Sequence, residues 1–347
     1  ADRYLVTATV RVDGSSKFSK VNRYSTFPSV ATAWRFSEEP WLKNDVLSMG
    51  KLRAGWGRVG NSAVSAYQIY STYGTAKYAD HTPGNEAFTV VGLAPTNISN
   101  PGLKWETTEQ WNIGLDLGLW NGRLSFTADL YDKFTYDLLQ SKNISTSSGF
   151  SSMWLNSGSI RNRGLELALD ATPISNGDFE WNISGQISWN KNTLVDMGAS
   201  GGTGEIYVNP DSPQESKYFY GDKVGSSNYL NNPANIFIEG QPLGLIWGYK
   251  FNRIVPEGEE GIPISQGGAA RLPGQREYMD LNENGYIDEY DKTIIGNANP
   301  DFMYGFSTSF TWKDLTISAS FDGAYGNEIL NANRPQEEDV AYNSNTM

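Results

Sequence analysis

The sequence predicts an all-β protein: part of an antiparallel up-and-down transmembrane β-barrel, with long extracellular loops and short periplasmic turns. Three observations lead to this fold class. Apolar and polar residues alternate with period two along much of the 347 residues. Short turns alternate with long polar connections, and aromatic residues stand near the ends of the apolar faces. We count about ten or eleven such strands, roughly half of the twenty-two that the larger plugged barrels contain.

Three strands are predicted in the N-terminal part of the chain. Apolar residues occupy every second position over residues 4–12, and strand character returns at residues 27–37 and 47–60. A long, mostly polar connection follows. It carries weak strand patterns near residues 67–73 and 88–92.

The clearest hairpin spans residues 111–131. Asn121-Gly122 lies between its two alternating arms and provides the two positive-φ positions of a type I′ turn. The apolar positions are Trp111, Ile113, Leu115, Leu117, Leu119, Leu124, Phe126, Ala128 and Leu130. A hairpin with one apolar face covers a water-soluble core or forms a barrel wall with lipid outside and water inside.

Two further hairpins repeat this design. Their arms are residues 160–172 with 179–189, joined by a turn at 173–178, and 304–312 with 315–325, joined by Lys313-Asp314. The connections on the other side are long and cover residues 132–158, 191–240 and 253–301. Because a soluble sandwich does not need long loops consistently at one end, the repetition favours the barrel wall. Asn121-Gly122 then marks the periplasmic rim.

Composition excludes several classes of function. The net charge of −12 argues against nucleic acid, since binding phosphates requires clustered Lys and Arg. The absence of Cys excludes disulfides and thiolate chemistry. The single histidine, His81, has no partner in the pattern, and residues 57–61 (GRVGN) lack the strand–helix context of a nucleotide-binding loop. We therefore do not expect an enzyme.

The sharpest local motif is residues 280–291, DLNENGYIDEYD. Its spacing is that of an EF-hand-like calcium loop, with Gly285 at the sixth position for the sharp turn. The predicted oxygen ligands are Asp280, Asn282, Asn284, Tyr286 through its carbonyl, Asp288 and Asp291. The last position is Asp where EF-hands have Glu, so its reach is shorter. We expect a structural Ca²⁺ that orders this loop; the alternative is an Asn/Asp/Gly-rich turn without an ion.

Aromatic residues in the polar loops are candidate ligand-binding residues. Flat apolar ring faces suit the C–H surfaces of pyranose sugars, as they suit other rings. The candidates are Tyr67, Tyr70, Tyr73, Trp154, Tyr218, Tyr220 and Tyr229. For each of them, packing within the loops or against a partner protein is the alternative.

Eight stretches spread over nearly the whole chain carry a resemblance to a known family. They are residues 3–18, 23–42, 51–61 (KLRAGWGRVGN), 100–139, 156–169, 240–251 (GQPLGLIWGYKF), 280–310 and 323–329. In this order they resemble the C-terminal β-barrel portion of SusC/RagA-type TonB-linked outer-membrane transporters, which are also called TonB-dependent.

The resemblance implies a location in the outer membrane of Bacteroidota-type bacteria. It implies import of oligosaccharides, or in some members peptides, driven by TonB through an N-terminal plug domain. It also implies a SusD-type surface lipoprotein that forms a lid on the extracellular mouth. The plug, the TonB-contact segment and the first and last strands of the family's barrel have no counterpart in this sequence. We therefore expect either that the chain is a portion of a longer protein or that other segments complete the wall.

The predicted organisation is one partial barrel domain over residues 1–347. Within it, residues 254–301 form an extracellular loop that carries the calcium motif of residues 280–291, here called the calcium-motif loop. The competing hypothesis is a soluble, calcium-stabilised, β-rich carbohydrate-binding or adhesin-like surface module. The two differ in what covers Trp111, Ile113 and Leu130. These residues face lipid in a barrel wall, and they pack on a second sheet in a soluble module.

Overall fold

The computed structural model describes residues 3–80, 88–198, 200–221 and 233–331. His81 and Tyr229 lie outside the described residues. The chain divides into two compact units, Ala1–Ala171 with Gly198–Ser200, and Thr172–Met197 with Gly201–Met347. Across the described residues, no helix has the length and apolar character needed to cross a membrane.

The first unit is built from long strands and two small hairpins. Its strands are β1 (Tyr4–Gly14), β2 (Tyr24–Trp34), β3 (Leu47–Asn61), β4 (Tyr73–Asp80), β5 (Phe88–Pro95), β6 (Glu106–Leu119), β7 (Leu124–Tyr136), β8 (Leu139–Asn143), β9 (Ser152–Asn156) and β10 (Ser159–Asn176). The long strands pair antiparallel in the order β1-β2-β3-β6-β7-β10. This confirms the predicted up-and-down arrangement.

The two faces of these strands differ as the alternation predicts. On one face Trp111, Ile113 and Leu130 are 59%, 56% and 55% exposed. On the other face the Arg53 guanidinium donates to both Asp116 oxygens at 2.8 Å and to Asp129 at 3.0 Å. An exposed apolar face backed by paired charges is the arrangement of a barrel wall between lipid and water.

The turn between β6 and β7 is wider than predicted. The positive φ predicted for Asn121 and Gly122 is confirmed, but the predicted two-residue length is wrong, because β6 ends at Leu119, which pairs with Leu124. Trp120, Asn121 and Gly122 all have positive φ. The reason is contact with the segment at the start of β3, since Val46 O accepts the Trp120 N–H at 2.8 Å and Ser48 Oγ accepts the Asn121 N–H at 2.7 Å.

The loops of the first unit and the start of β2 share a small apolar core, here called the Trp105 cluster. It comprises Phe18, Phe27, Val64, Ile69, Leu103 and Trp105. Strand β4 begins only at Tyr73, so the strand pattern predicted for residues 67–73 is wrong. Burial of Ile69 in this core draws the segment before β4 into turns.

The second unit begins with the end of β10. Its further strands are β11 (Phe179–Asp196), β12 (Gly202–Asn209), β13 (Ser212–Tyr220), β14 (Asn235–Ile238), β15 (Leu245–Tyr249), β16 (Phe251–Ile254), β17 (Arg276–Tyr278), β18 (Lys292–Asn297), β19 (Phe302–Trp312) and β20 (Leu315–Tyr325). The long strands pair in the order β11-β19-β20. The tight turn at Lys313-Asp314 is confirmed. The turn after β10 is shorter than predicted, since β10 continues to Asn176 and β11 starts at Phe179.

The long connections of the second unit are folded strands, whereas the sequence predicted polar loops there. Strands β12, β13, β14, β15 and β18 close into a small barrel, here called the loop barrel. Its core is Ile206, Ile236, Ile238, Leu245 and Trp247. β12 and β18 meet in parallel at Tyr207 and Thr293, whose Oγ1 donates to the Tyr207 carbonyl at 2.8 Å. Within the described residues, six long wall strands lie in the first unit and three in the second. This is fewer than the ten or eleven strands predicted from the sequence.

Candidate functional site: an aromatic cleft beside the calcium-motif loop

A cleft of about 480 Å³ opens on the loop barrel, here called the aromatic cleft. Its size falls within the range of about 300–1,000 Å³ in which ligand pockets lie. The lining residues are Glu205, Ile206, Tyr207, Pro213, Tyr218, Tyr220, Trp247, Asn282, Glu289, Tyr290 and Lys292. Aromatic rings with a few polar groups are the usual lining of a binding site for a small molecule.

Two of the predicted ligand-binding residues, Tyr218 and Tyr220, stand side by side in this cleft. They occupy alternate positions of β13, so their side chains share one face of the strand. Their ring centroids are 5.5 Å apart in an edge-on arrangement. Burial, followed by the neighbouring Tyr218 hydroxyl and Glu289, raises the pKa of Tyr220 to about 12. Tyr220 therefore stays a neutral hydroxyl at physiological pH.

Trp247 forms the apolar floor of the cleft. It is 4% exposed, and its ring centroid lies 6.4 Å from that of Tyr220. Among the residues that the structure describes, its indole Nε1–H has no hydrogen-bond partner. A buried donor without a partner costs about 1–3 kcal/mol. Such an orphan donor beside a cleft is more typical of a binding site than of a finished core.

The charged groups of the cleft are largely paired. Lys292 Nζ donates to Glu289 Oε2 at 2.7 Å and lies 5.2 Å from the Tyr249 ring centroid. Lys292 is the cation among the lining residues, and Glu205 and Glu289 are the anions. One positive and two negative side chains leave the lining with a formal charge of −1. This lining offers no unpaired cation to an anionic ligand.

The predicted calcium loop folds as one tight turn. Asp280 accepts hydrogen bonds from the backbone N–H groups of Asn284 at 3.1 Å and Gly285 at 2.7 Å. The Asn284 amide donates to Asp288 at 3.0 Å. Gly285 has φ +86°, a conformation that only glycine adopts without strain, as the motif predicts. The six predicted ligands thus belong to one compact loop.

The buried end of this loop is Asp291. Its side chain is fully buried and accepts the backbone N–H groups of Leu281 at 2.8 Å and Asp288 at 2.6 Å. Burial, partly offset by these hydrogen bonds, raises the pKa of Asp291. Within the described ranges, no three His, Cys, Asp or Glu side chains converge as metal ligands do. The carboxylates of the loop are turned instead to N–H groups of the loop itself.

The calcium-motif loop is also one wall of the aromatic cleft. Asn282, at the third position of the motif, lines the cleft, and so do Glu289 and Tyr290. The carboxylates of the loop contribute to raising the pKa of Tyr207, after the larger effects of burial and Glu205. A change in the conformation of this loop therefore moves residues that line the cleft.

The other predicted aromatic residues lie in the first unit. Tyr67, Tyr70 and Tyr73 are exposed. Trp154 packs against the Trp105 cluster. These residues are not part of the cleft. Whether any of them contacts a ligand stays a prediction.

Three residues of the cleft escaped the sequence analysis: Tyr207, Trp247 and Tyr290. A signal existed for Tyr207, which alternates with the apolar Ile206 and Val208 along β12. Trp247 lies in an apolar run that reads as core, and Tyr290 lies inside the metal motif. Their convergence depends on closure of the loop barrel, which no local pattern predicts.

Comparison with known proteins gives a consistent result. The family of TonB dependent receptor-like β-barrels matches residues 1–335. The chain is 34% identical over 334 residues to TonB-dependent receptor P3 of Formosa agariphila, and 33% identical over 334 residues to TonB-dependent receptor SusC of Bacteroides thetaiotaomicron. These alignments cover 95% and 94% of this chain but 31% and 30% of the relatives. The chain thus spans about a third of their length.

A solved structure shares the fold. The structure of the RagAB peptide transporter superimposes with a TM-score of 0.69 at 24% identity, over 93% of this chain and 32% of that chain. At this level of identity the likeness concerns the fold alone. It agrees with the barrel-wall arrangement described above.

Proposed function

The chain belongs to the family of TonB-dependent receptor-like β-barrels, in its SusC/RagA-like branch; from this premise we propose that the protein imports oligosaccharides or peptides by TonB-driven transport. The family resides in the outer membrane and consists of transporters, not enzymes. In this proposal the chain supplies part of the barrel wall and extracellular loops around the entrance.

The observation that carries the proposal is the contrast between the two faces of the wall. Exposed apolar residues such as Trp111 and Ile113 alternate with the Arg53–Asp116–Asp129 ion pairs. In a soluble module those apolar side chains would pack on a second sheet. Their exposure favours the barrel over the calcium-stabilised adhesin-like alternative.

The proposed partners follow from the same premise. Lipid surrounds the apolar face, and a SusD-like lipoprotein covers the extracellular loops. TonB acts through a plug region that lies outside this chain. The resemblance to SusC/RagA-type transporters implies oligosaccharide or peptide ligands, and a solved structure of the same fold is that of a peptide transporter. Both ligand classes therefore enter the proposal.

The test is uptake by the native bacterium. Cells lacking the full-length protein should lose import of a fluorescent oligosaccharide pool or a fluorescent peptide pool. Complementation with the full-length gene should restore import, and complementation with a gene lacking the TonB-contact segment should not. Unchanged uptake of both pools in the deletion strain would contradict the proposal.

We also propose that residues 280–291 bind a structural Ca²⁺. The support is the ligand spacing, the positive φ of Gly285 and the compact loop that holds all six oxygen donors. Calcium would replace N–H groups as the partner of the carboxylates of Asp280 and Asp288. It would also supply the positive charge that the buried Asp291 carboxylate favours.

Titration calorimetry on the intact protein tests this site. After treatment with a chelator, the wild type should bind Ca²⁺, and Asp280→Ala should weaken binding by about tenfold or more, equivalent to about 1.4 kcal/mol. Asp211→Ala is the matched control, since Asp211 is an exposed aspartate of the loop barrel outside the motif. Absence of calcium heat in the wild type would refute the site.

A further inference from the structure

We propose that the aromatic cleft of the loop barrel is a capture site for a neutral, pyranose-containing oligosaccharide. The inference rests on the proposed transport function and narrows its ligand class. Three features of the cleft support it: its ring faces, its charge and the closure of its strands.

The first feature is the concentration of aromatic rings. Tyr207, Tyr218, Tyr220, Trp247 and Tyr290 line one cleft of about 480 Å³. Aromatic rings supply flat apolar faces together with a polar edge. A pyranose presents apolar C–H faces and a rim of hydroxyls, so it matches both parts of such a lining. The carboxylate of Glu205 and the amide of Asn282 can hydrogen-bond the hydroxyl rim.

The second feature is charge. Lys292 is engaged by Glu289, and the lining carries a formal charge of −1. Anionic ligands are normally recognised by unpaired Arg or Lys side chains, often in bidentate geometry. A cleft with an excess of carboxylate repels uronate and sulfate groups. The lining therefore selects neutral sugars over acidic ones.

The third feature separates sugars from peptides. Extended peptides commonly bind by adding a strand to an exposed sheet edge. Within the described residues, the five strands of the loop barrel close on themselves. The cleft offers ring faces and polar side chains in place of a strand edge. This geometry favours a saccharide over a peptide backbone.

The orphan donor of Trp247 agrees with this assignment. Its Nε1–H is buried beside the cleft and has no partner among the described residues. A small shift of the ring on ligand entry would let a sugar hydroxyl accept this hydrogen bond. The cost of the unpaired donor would then be removed in the bound state.

The experiment uses the full-length protein in detergent and isothermal titration. The probes are maltohexaose, cellohexaose, laminarihexaose and mannohexaose as neutral sugars, hexagalacturonic acid as the acidic sugar, and a random octapeptide library. At least one neutral hexasaccharide should bind, and hexagalacturonic acid should bind at least about tenfold more weakly. Binding of the acidic sugar alone, or of peptides alone, would overturn the inference, as would binding of no probe.

Variants then locate the binding site. Tyr220→Ala and Tyr290→Ala should each weaken binding of the neutral sugar by about tenfold, whereas Tyr220→Phe, which keeps the ring face, should stay within about threefold. Tyr290 is exposed, so its replacement leaves folding intact. Tyr24→Ala, at an exposed tyrosine of the other unit, should change nothing. Unchanged affinity in both alanine variants would overturn the cleft assignment.

Uptake distinguishes the two levels of the proposal. If the deletion strain loses peptide import but the purified protein binds no neutral sugar, TonB-driven transport stands and the saccharide cleft is refuted. If the deletion strain imports both ligand pools normally, the proposed transport function itself fails.

Discussion

The Trp105 cluster of the first unit and the loop barrel of the second unit are both small apolar cores, but they differ in how completely they are packed. Each surrounds a buried tryptophan with apolar side chains from segments that are distant in sequence. Trp105 is 9% exposed and its indole N–H donates to the Arg23 carbonyl at 3.2 Å. Trp247 is more deeply buried, at 4% exposed, but its N–H has no partner in the described part of the chain, and a cleft lies beside it.

The difference distinguishes an apolar core that only stabilises the fold from one that borders a candidate binding site. In the Trp105 cluster, the rings of Phe18 and Phe27 pack against the indole at 5.4 and 5.7 Å, so the core is filled and its polar group is satisfied. In the loop barrel, the rings of Tyr218 and Tyr220 line an open cleft beside Trp247. Filled and satisfied cores contribute to stability, whereas a cavity with an unpaired donor lowers stability and is retained where a ligand binds.

The largest effect is expected in the filled core. Trp105→Ala should destabilise the loops of the first unit by about 3–5 kcal/mol, because it removes a buried ring and opens a cavity. Limited proteolysis of the full-length protein in detergent would show new cleavage in these loops. Cleavage confined to the second unit would contradict the assignment of Trp105 as a structural core residue.

Calcium removal should act on the other region. If Ca²⁺ is present at about a hundred times its dissociation constant, its loss removes roughly 2.7 kcal/mol of stability from the loop barrel. Hydrogen exchange with and without a chelator should therefore change at β18 and around Asp291, and stay constant in the Trp105 cluster. An equal change in both regions would refute a local structural ion.

A calcium-dependent cleft is the functional counterpart of this prediction. Asn282, Glu289 and Tyr290 belong to both the motif and the cleft lining. Chelation should therefore weaken binding of the neutral sugar by several-fold, on the order of 1 kcal/mol. By linkage, saturating sugar should tighten Ca²⁺ binding by the same factor. Calorimetry of each ligand in the presence of the other would measure both.

The smallest effect comes from a matched pair of substitutions. Trp105→Phe and Trp247→Phe remove the same atoms from two buried sites. The first removes one of two donors to the Arg23 carbonyl, which also accepts the Ser15 N–H at 3.0 Å, and the second removes a donor that has no partner among the described residues. Trp105→Phe should therefore be more destabilising by about 0.5–1.5 kcal/mol, the usual net contribution of one hydrogen bond. Thermal melts of the two full-length variants would test this. Equal melting temperatures would contradict the conclusion that only the Trp105 N–H contributes a stabilising hydrogen bond.

The site was only partly accessible to sequence reasoning. Tyr218 and Tyr220 could be proposed because they are aromatic residues in a polar region, and the calcium motif because its spacing is local. Trp247 could not, since a tryptophan in an apolar run is normally core. Its role in the cleft depends on the strand pairing β15–β18, which joins Trp247 to Ile294 across a long connection.

The alternation pattern of the sequence is sufficient to predict the barrel wall. Period-two alternation assigns each side chain to a face, and the hairpins then pair neighbouring strands, as Ile113 with Leu130 shows. The width of the turn at Trp120 and the existence of the loop barrel, by contrast, follow only from tertiary contacts. Both depend on contacts between distant residues, such as Tyr207 with Thr293, whose free energy no local pattern contains.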